Sequence, residues 1–184
     1  VLWTYDVKVV VDSSAAIVDG VVYVGGGNGD LLALDLASGK LRWKYTTGNL
    51  IGESSPAVGD GAVYIGDLGG LLHAVNVKDG SRLWTFQSGS EIKSSPVIAG
   101  DVVLAGSYDS HLYGIDAKTG KSRWKVQTNG MVHATPAVQN GIAFIAGCDA
   151  ILRAIRVTDG QQVYQIEAGA YTGASPLIDG NRAY

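Results

Sequence analysis

Four side chains of this 184-residue chain stand where they could do chemistry together: Asp12, Glu53, Lys93 and His133, set 41, 40 and 40 residues apart. Gly173 continues the series after a further 40. Two carboxylates, an ammonium and an imidazole at one repeated position can hold a charged or hydrogen-bonding ligand if the fold brings the repeats round to a common point. The competing reading is that each is polar because a loop is wet, with Glu53 and Lys93 pairing as neighbours for well under about 1 kcal/mol. A second group sits in other turns: Asp67, Tyr108 with Asp109, and Cys148 with Asp149. These are either further contacts of the same surface or ordinary turn residues.

Other chemistries have less support. His73, His111 and His133 fall at three different repeat positions, so they face different places and make no zinc set. Cys148 is the sole cysteine, which rules out an intrachain disulfide, and no cation adjoins it in sequence to depress the pKa of its thiol. Gly25-Gly26-Gly27-Asn28-Gly29 joins two strand-like runs and opens no helix, so it reads as a hairpin and not as a phosphate cradle. Neither a nucleophile elbow nor a metal-protease helix motif occurs. A net charge of −3 leaves no basic footprint for nucleic acid. The longest apolar runs are of strand length, too short to cross a bilayer as helices.

The elements that must position these residues repeat every forty positions. The segment from Ala33 to Trp43 returns as Ala74 to Trp84, Gly114 to Trp124 and Ala154 to Tyr164. The turn glycines Gly39, Gly80, Gly120 and Gly160 step by 41, 40 and 40. Within each repeat, runs of four to six apolar or β-branched residues alternate with Asp-Gly, Asn-Gly and Gly-Asp, which specifies four antiparallel strands joined by tight turns. The innermost strand opens at Ser55-Pro56, Ser95-Pro96, Thr135-Pro136 and Ser175-Pro176, where proline removes no ladder N–H. A period near 40 with all-strand content is a β-propeller of four-stranded antiparallel blades. One aromatic per blade at the outer-strand position, Trp3, Trp43, Trp84, Trp124 and Tyr164, is expected to plug the seam to the next blade. Asp35, Asn76 and Asp116 are expected to accept backbone N–H bonds in the turn that follows them, whereas Arg156 cannot, so the fourth such turn should be the loosest.

The eleven-residue pattern Ala-x-Asp-x-x-Ser-Gly-Lys-x-x-Trp resembles the tryptophan-docking motif of pyrroloquinoline quinone (PQQ)-like propeller repeats, and it does so in register across the chain. That family includes quinoprotein alcohol dehydrogenases and the propeller lipoprotein of the outer-membrane β-barrel assembly machine. The resemblance implies a ring of eight blades. Its enzymes carry adjacent cysteines over the quinone and a calcium site of glutamate, asparagine and aspartate. This chain has no adjacent cysteines and no assignable calcium cluster.

The expected organisation is a single propeller segment: an outer strand over 1–7, blades over 14–46, 54–87, 94–127 and 134–167, and the start of another over 174–184. Four blades in an open arc expose apolar faces, so further blades or a second copy are expected to close a seven- or eight-bladed ring. Uniform turns collect on one face, while divergent crossovers and second-to-third strand turns collect on the other, where specificity is expected to be written. The reading is a non-catalytic scaffold that binds a protein partner or ligand through the variable face, outside the cytoplasm in the periplasm or at the cell surface, with no cofactor. The alternatives are a segment of a PQQ- and calcium-dependent dehydrogenase, or a sensor or adhesion module of a larger surface protein.

Overall fold

The computed structural model of the chain describes residues 1–171, 174–180 and 182–184. Every regular element among them is a strand. The first blade is β1 (Ala16–Val18), β2 (Val21–Gly25), β3 (Asp30–Asp35) and β4 (Leu41–Thr46), hydrogen-bonded in chain order. The second is β5 (Ala57–Gly59), β6 (Ala62–Gly66), β7 (Leu71–Asn76) and β8 (Arg82–Gln87). The third is β9 (Val97–Ala99), β10 (Val102–Ser107), β11 (His111–Asp116) and β12 (Ser122–Gln127). The fourth is β13 (Ala137–Gln139), β14 (Ile142–Ala146), β15 (Ile151–Arg156) and β16 (Gln162–Glu167). A separate pair, β17 (Ile178–Asp179) and β18 (Arg182–Ala183), follows, and the ring is not closed.

All neighbouring strands within a blade are antiparallel. The tight turns use positive φ where the sequence offers Asp, Asn or Gly: Asp60 and Gly61 lie at +51° and +79°, and Asn140 and Gly141 at +50° and +73°. Two consecutive residues in that region make the hairpin turn whose twist matches the strands. The middle strands β6 and β10 are buried along their whole length and not on alternate residues, and β3, β7 and β11 are buried at every position but their ends. Both faces of the second and third sheets are covered by neighbouring blades, which is why these runs are continuously apolar in sequence. The apolar clusters lie in the seams: Val21, Tyr23 and Trp43 of the first blade pack with Val63 and Val75 of the second. Equivalent clusters join the second blade to the third and the third to the fourth.

The outer strand of each blade carries one irregularity at a fixed place. The small residue sits opposite the aromatic, Ala33↔Trp43, Ala74↔Trp84, Gly114↔Trp124 and Ala154↔Tyr164, and the register then shifts by one residue. The bulge turns the indoles out of the sheet toward the next blade. Trp43 donates from Nε1 to the Val77 carbonyl at 2.9 Å, Trp84 to that of Ala117 at 2.9 Å and Trp124 to that of Val157 at 2.8 Å. Trp3 does the same to Leu36 at 2.8 Å although residues 1–15 include no strand; that segment is held instead by Trp3, Tyr5 and Val7 against Val22, Leu32 and Leu34, and by the Gly27 N–H donating to the Val10 carbonyl at 2.9 Å. Tyr164 is 45% exposed and meets Phe144 at a ring-centroid distance of 6.4 Å.

The fourth outer turn corrects the expectation of looseness. Asp35 and Asp116 accept the Ser38 and Thr119 N–H groups at 2.9 and 2.8 Å as expected. At Arg156 the polarity is reversed: its guanidinium donates to Asp159 at 2.8 Å and to Gln161 Oε1 at 2.7 Å, and Asp159 accepts the Gln161 N–H at 3.0 Å. The backbone bonds Arg156 N to Gln161 O and Gly160 N to Arg156 O match those of the other blades, so the turn is as closed as they are.

Candidate functional site

The crossovers between blades are fixed from below and from the side. Ile51, Ile92 and Val132 are buried crossover residues. Ile92 presses on Gly66 of the second blade, where a Cβ would collide with it. The crossover backbone is also tied to the turns beside it, Ile92 N to Asp67 O at 3.0 Å and Tyr108 N to Glu91 O at 2.9 Å. Around the channel, serines stitch the inner strands together. The Ser14 N–H donates to Ser55 Oγ and the Ser55 N–H to Ser95 Oγ, both at 2.9 Å, and the Thr135 N–H to Ser175 Oγ at 3.0 Å. One residue earlier, Ser54 Oγ donates to the Ser94 carbonyl at 3.2 Å and Ser94 Oγ to that of Ala134 at 3.1 Å. Each candidate rim residue immediately precedes this belt, so its backbone is held in place beneath its side chain.

Three of the four rim side chains meet. Glu53 Oε2 lies 3.9 Å from His133 Nδ1, and the Tyr108 hydroxyl lies 2.7 Å from the same nitrogen. Lys93 Nζ stands 5.0 Å from the centroid of the Tyr108 ring. Glu53 pairs with His133 two crossovers away, and not with its neighbour Lys93, whose ammonium rests on an aromatic face instead. Burial pushes the Tyr108 hydroxyl up; Lys93 opposes this, while Glu53, Cys148 and Glu91 reinforce it. Tyr108 therefore stays a phenol and can donate to a neutral His133. The side chains are half exposed, 50% for Glu53 and 33% for His133, so a partner can reach an ammonium, an imidazole, a phenol and a carboxylate at one place. Asp12 is exposed and contacts none of them. Gly173 lies outside the described residues. Cys148 is partly buried, its N–H donating to the Met131 carbonyl at 3.1 Å.

The aspartates of the second-to-third strand turns are otherwise occupied. Asp67 is fully buried and accepts from Asn49 Nδ2 at 3.1 Å, the Gly69 and Leu71 N–H groups at 2.9 and 2.8 Å, and meets His73 Nε2 at 3.0 Å. The other nitrogen of His73 is 3.0 Å from the Tyr45 hydroxyl of the first blade. Asp109 accepts from the Gly89 N–H at 2.7 Å and the Tyr113 hydroxyl at 2.6 Å. Asp149 accepts from the Asn129 N–H and from buried Arg153, both at 3.0 Å. In each case a turn carboxylate clamps the incoming crossover and the third-strand residue before the small Ala or Gly. Burial pushes these carboxyls up, but the bonds from His73, Tyr113 and Arg153 outweigh it and hold all three below the ordinary carboxylate value. Sequence reasoning missed these clamps. The available signal was the third-strand series Leu32, His73, Tyr113, Arg153, polar in the three blades whose turns carry Asp67, Asp109 and Asp149. Among the described residues no group of three or more His, Cys, Asp or Glu could hold a metal.

Comparison with known proteins agrees with this architecture. A family described as outer membrane protein assembly factor BamB matches residues 1–93 and 47–184. A search of curated protein sequences finds no match. The crystal structure of BamB from Moraxella catarrhalis superposes with a TM-score of 0.86 at 19% identity, covering 99% of this chain and 57% of that one. The computationally designed Ika8 protein gives 0.83 at 15% identity over 92% of this chain and 53% of its own. The quinohemoprotein alcohol dehydrogenase ADHIIG from Pseudomonas putida HK5 gives 0.78 at 21% identity over 91% and 36%. The chain thus spans little more than half the length of the first two and about a third of the enzyme, and at these identities the likeness is one of fold. With the docking motif repeated in register, the seams it builds and a family match running from residue 1 to residue 184, the chain belongs to the BamB family of PQQ-like β-propellers.

Proposed function

We propose that this chain is a non-catalytic propeller scaffold that binds a protein partner through its crossover face, outside the cytoplasm, in outer-membrane protein assembly. The observation that carries the reading is the meeting of Glu53, Lys93, Tyr108 and His133 from successive crossovers and turns, each anchored by a buried neighbour and presented half exposed. The family match supports a role in assembly, and the propeller supplies a rigid platform on which variable loops can be read. The scaffold reading is also supported by the turn carboxylates beside the crossovers: Asp67 is engaged by His73 and Asn49, and Asp109 by Tyr113 and the Gly89 N–H.

The test uses the Lys93→Glu, His133→Ala double variant of the full-length protein and its binding to the purified periplasmic part of the outer-membrane β-barrel insertase of the same organism. Affinity is expected to fall about tenfold or more, equivalent to about 1.4 kcal/mol, with the melting temperature unchanged because neither residue is in a seam. Undiminished affinity would remove the rim from the interface, and saturable quinone absorbance with dye reduction on adding PQQ and calcium would replace the scaffold reading with the dehydrogenase one.

A further inference from the structure

On the face opposite the rim, the seam between the second and third blades opens into a groove of about 660 Å³, and its neighbours explain why. Trp43 is packed between Val21, which opens β2, and Val77 of the next blade. Trp124 is packed between Val102, which opens β10, and Val157. At the same two positions around Trp84 stand Ala62 and Ala117. Each substitution removes two carbon atoms from the wall, and the indole is too rigid to fill the space. The floor is the Tyr64–Trp84 pair, ring centroids 5.7 Å apart. At the mouth, Arg123 is neutralised by Asp101 at 2.7 Å and Asp116 at 2.6 Å. Asp60 and Lys118, both exposed, are the lining charges without an ion-pair partner among the described residues, and the lining as a whole sets three carboxylates, Asp60, Asp101 and Asp116, against two cations, Lys118 and Arg123. Asp60 lines the groove from the β5–β6 turn, two residues before Ala62, and its carboxylate adds to the rise that burial gives the Tyr64 hydroxyl. Aromatic faces attract cations, and a pocket of this size suits a small organic molecule.

We propose that this groove binds a small amphiphilic organic cation, its apolar body against Tyr64 and Trp84 in the space left by Ala62 and Ala117, and its ammonium toward Asp60. Phenethylammonium is the probe and 3-phenylpropionate its charge-reversed counterpart, titrated into the 15N-labelled protein while the four indole N–H resonances are followed. Phenethylammonium is expected to move the Trp84 resonance saturably and more than those of Trp3, Trp43 and Trp124, and to bind about fivefold or more tighter than phenylpropionate. Ala62→Val with Ala117→Val restores the walls of the other two seams and is expected to abolish the shift while raising the melting temperature. Asp60→Asn keeps the turn, since Asn140 occupies the same site at the same positive φ, and is expected to weaken binding about threefold. Absence of a saturable Trp84 shift, equal or tighter binding of phenylpropionate, or undiminished binding in either variant would each overturn the proposal. Should the double alanine replacement fail to fold, the Asp60→Asn titration and the charge-reversed probe decide the matter.

Discussion

At the scale of single residues, polar groups are committed very unequally in this chain. Asp109 accepts from Tyr113 and from the Gly89 backbone of the preceding crossover, so its ionised form is the one the fold stabilises. A carboxyl held below its unfolded value contributes stability that is complete above that value, near pH 4, and is lost as pH falls through the folded value. Asp67 and Asp149 act in the same direction. Melting temperature is therefore expected to be level from about pH 5 upward and to fall below about pH 4. Tyr113→Phe should cost about 1.5–3 kcal/mol, the value of a hydrogen bond to a charged group, and should move the acid limb to higher pH because Asp109 loses the donor that holds it ionised. Thermal melts of both proteins from pH 2.5 to 8 check this; superimposable acid limbs would show that the clamp does not favour the charged form.

At the scale of elements, the recurring unit is the bulged outer hairpin with its indole and the glycine it rests on. Gly80 has a φ of +72°, and a Cβ there would lie 2.8 Å from Trp43 Cε3. Gly61 has a φ of +79°, with nothing within 4 Å of the same virtual atom. Comparing the two separates backbone strain from collision. Gly61→Ala should cost about 1–2 kcal/mol for the left-handed conformation alone. Gly80→Ala should cost about 2–5 kcal/mol, since displacing a packed indole adds about 1–3 kcal/mol. Equal losses in urea unfolding would mean that the indole yields freely and the seam is not tightly packed. The reversed fourth turn makes a related point: Arg156 and Asp159 exchange the donor and acceptor roles that Asp35 with Ser38 and Asp116 with Thr119 have in the first and third blades, while the backbone closes in the same way.

At the scale of the whole molecule, blades are joined twice, by apolar seams at the outside and by the serine belt near the axis. Ser54 is fully buried; its Oγ accepts from the Gly66 N–H at 3.0 Å and donates to the Ser94 carbonyl at 3.2 Å, linking two strands of its own blade and the next blade in one atom. Ser54→Ala leaves the Gly66 N–H and one carbonyl lone pair without partners in a dry place, which should cost about 1–3 kcal/mol. Denaturant midpoints check the value, and hydrogen exchange should show the protection lost at Gly66 and in the following crossover. A neutral Ser54→Ala would mean that water replaces the hydroxyl and that the belt does not hold the rim. Because this belt carries the backbone that presents Glu53, Lys93 and His133, a variant there should also weaken partner binding without touching the rim chemically.

The forty-residue period determined the architecture. Strand-length apolar runs, glycine-centred turns and one aromatic per repeat leave a polypeptide few ways to bury its seams except as radial blades, whereas a common repeat position did not suffice for the rim: Glu53, Lys93 and His133 meet around Tyr108, and Asp12 at the same position does not join them. Tertiary structure alone decided which polar groups are available. Tyr108 and Asp109 are adjacent in one turn, yet the first joins the rim and the second is locked to Tyr113, because a turn has no fixed side-chain alternation and only packing decides which side chain faces water. Likewise Ala62 and Ala117 are unremarkable in sequence, 55 residues apart, and become a groove only when two blades set them on either side of Trp84. The sequence repeat records what every blade must do to fold; departures from it become chemistry only where neighbouring blades bring them into contact.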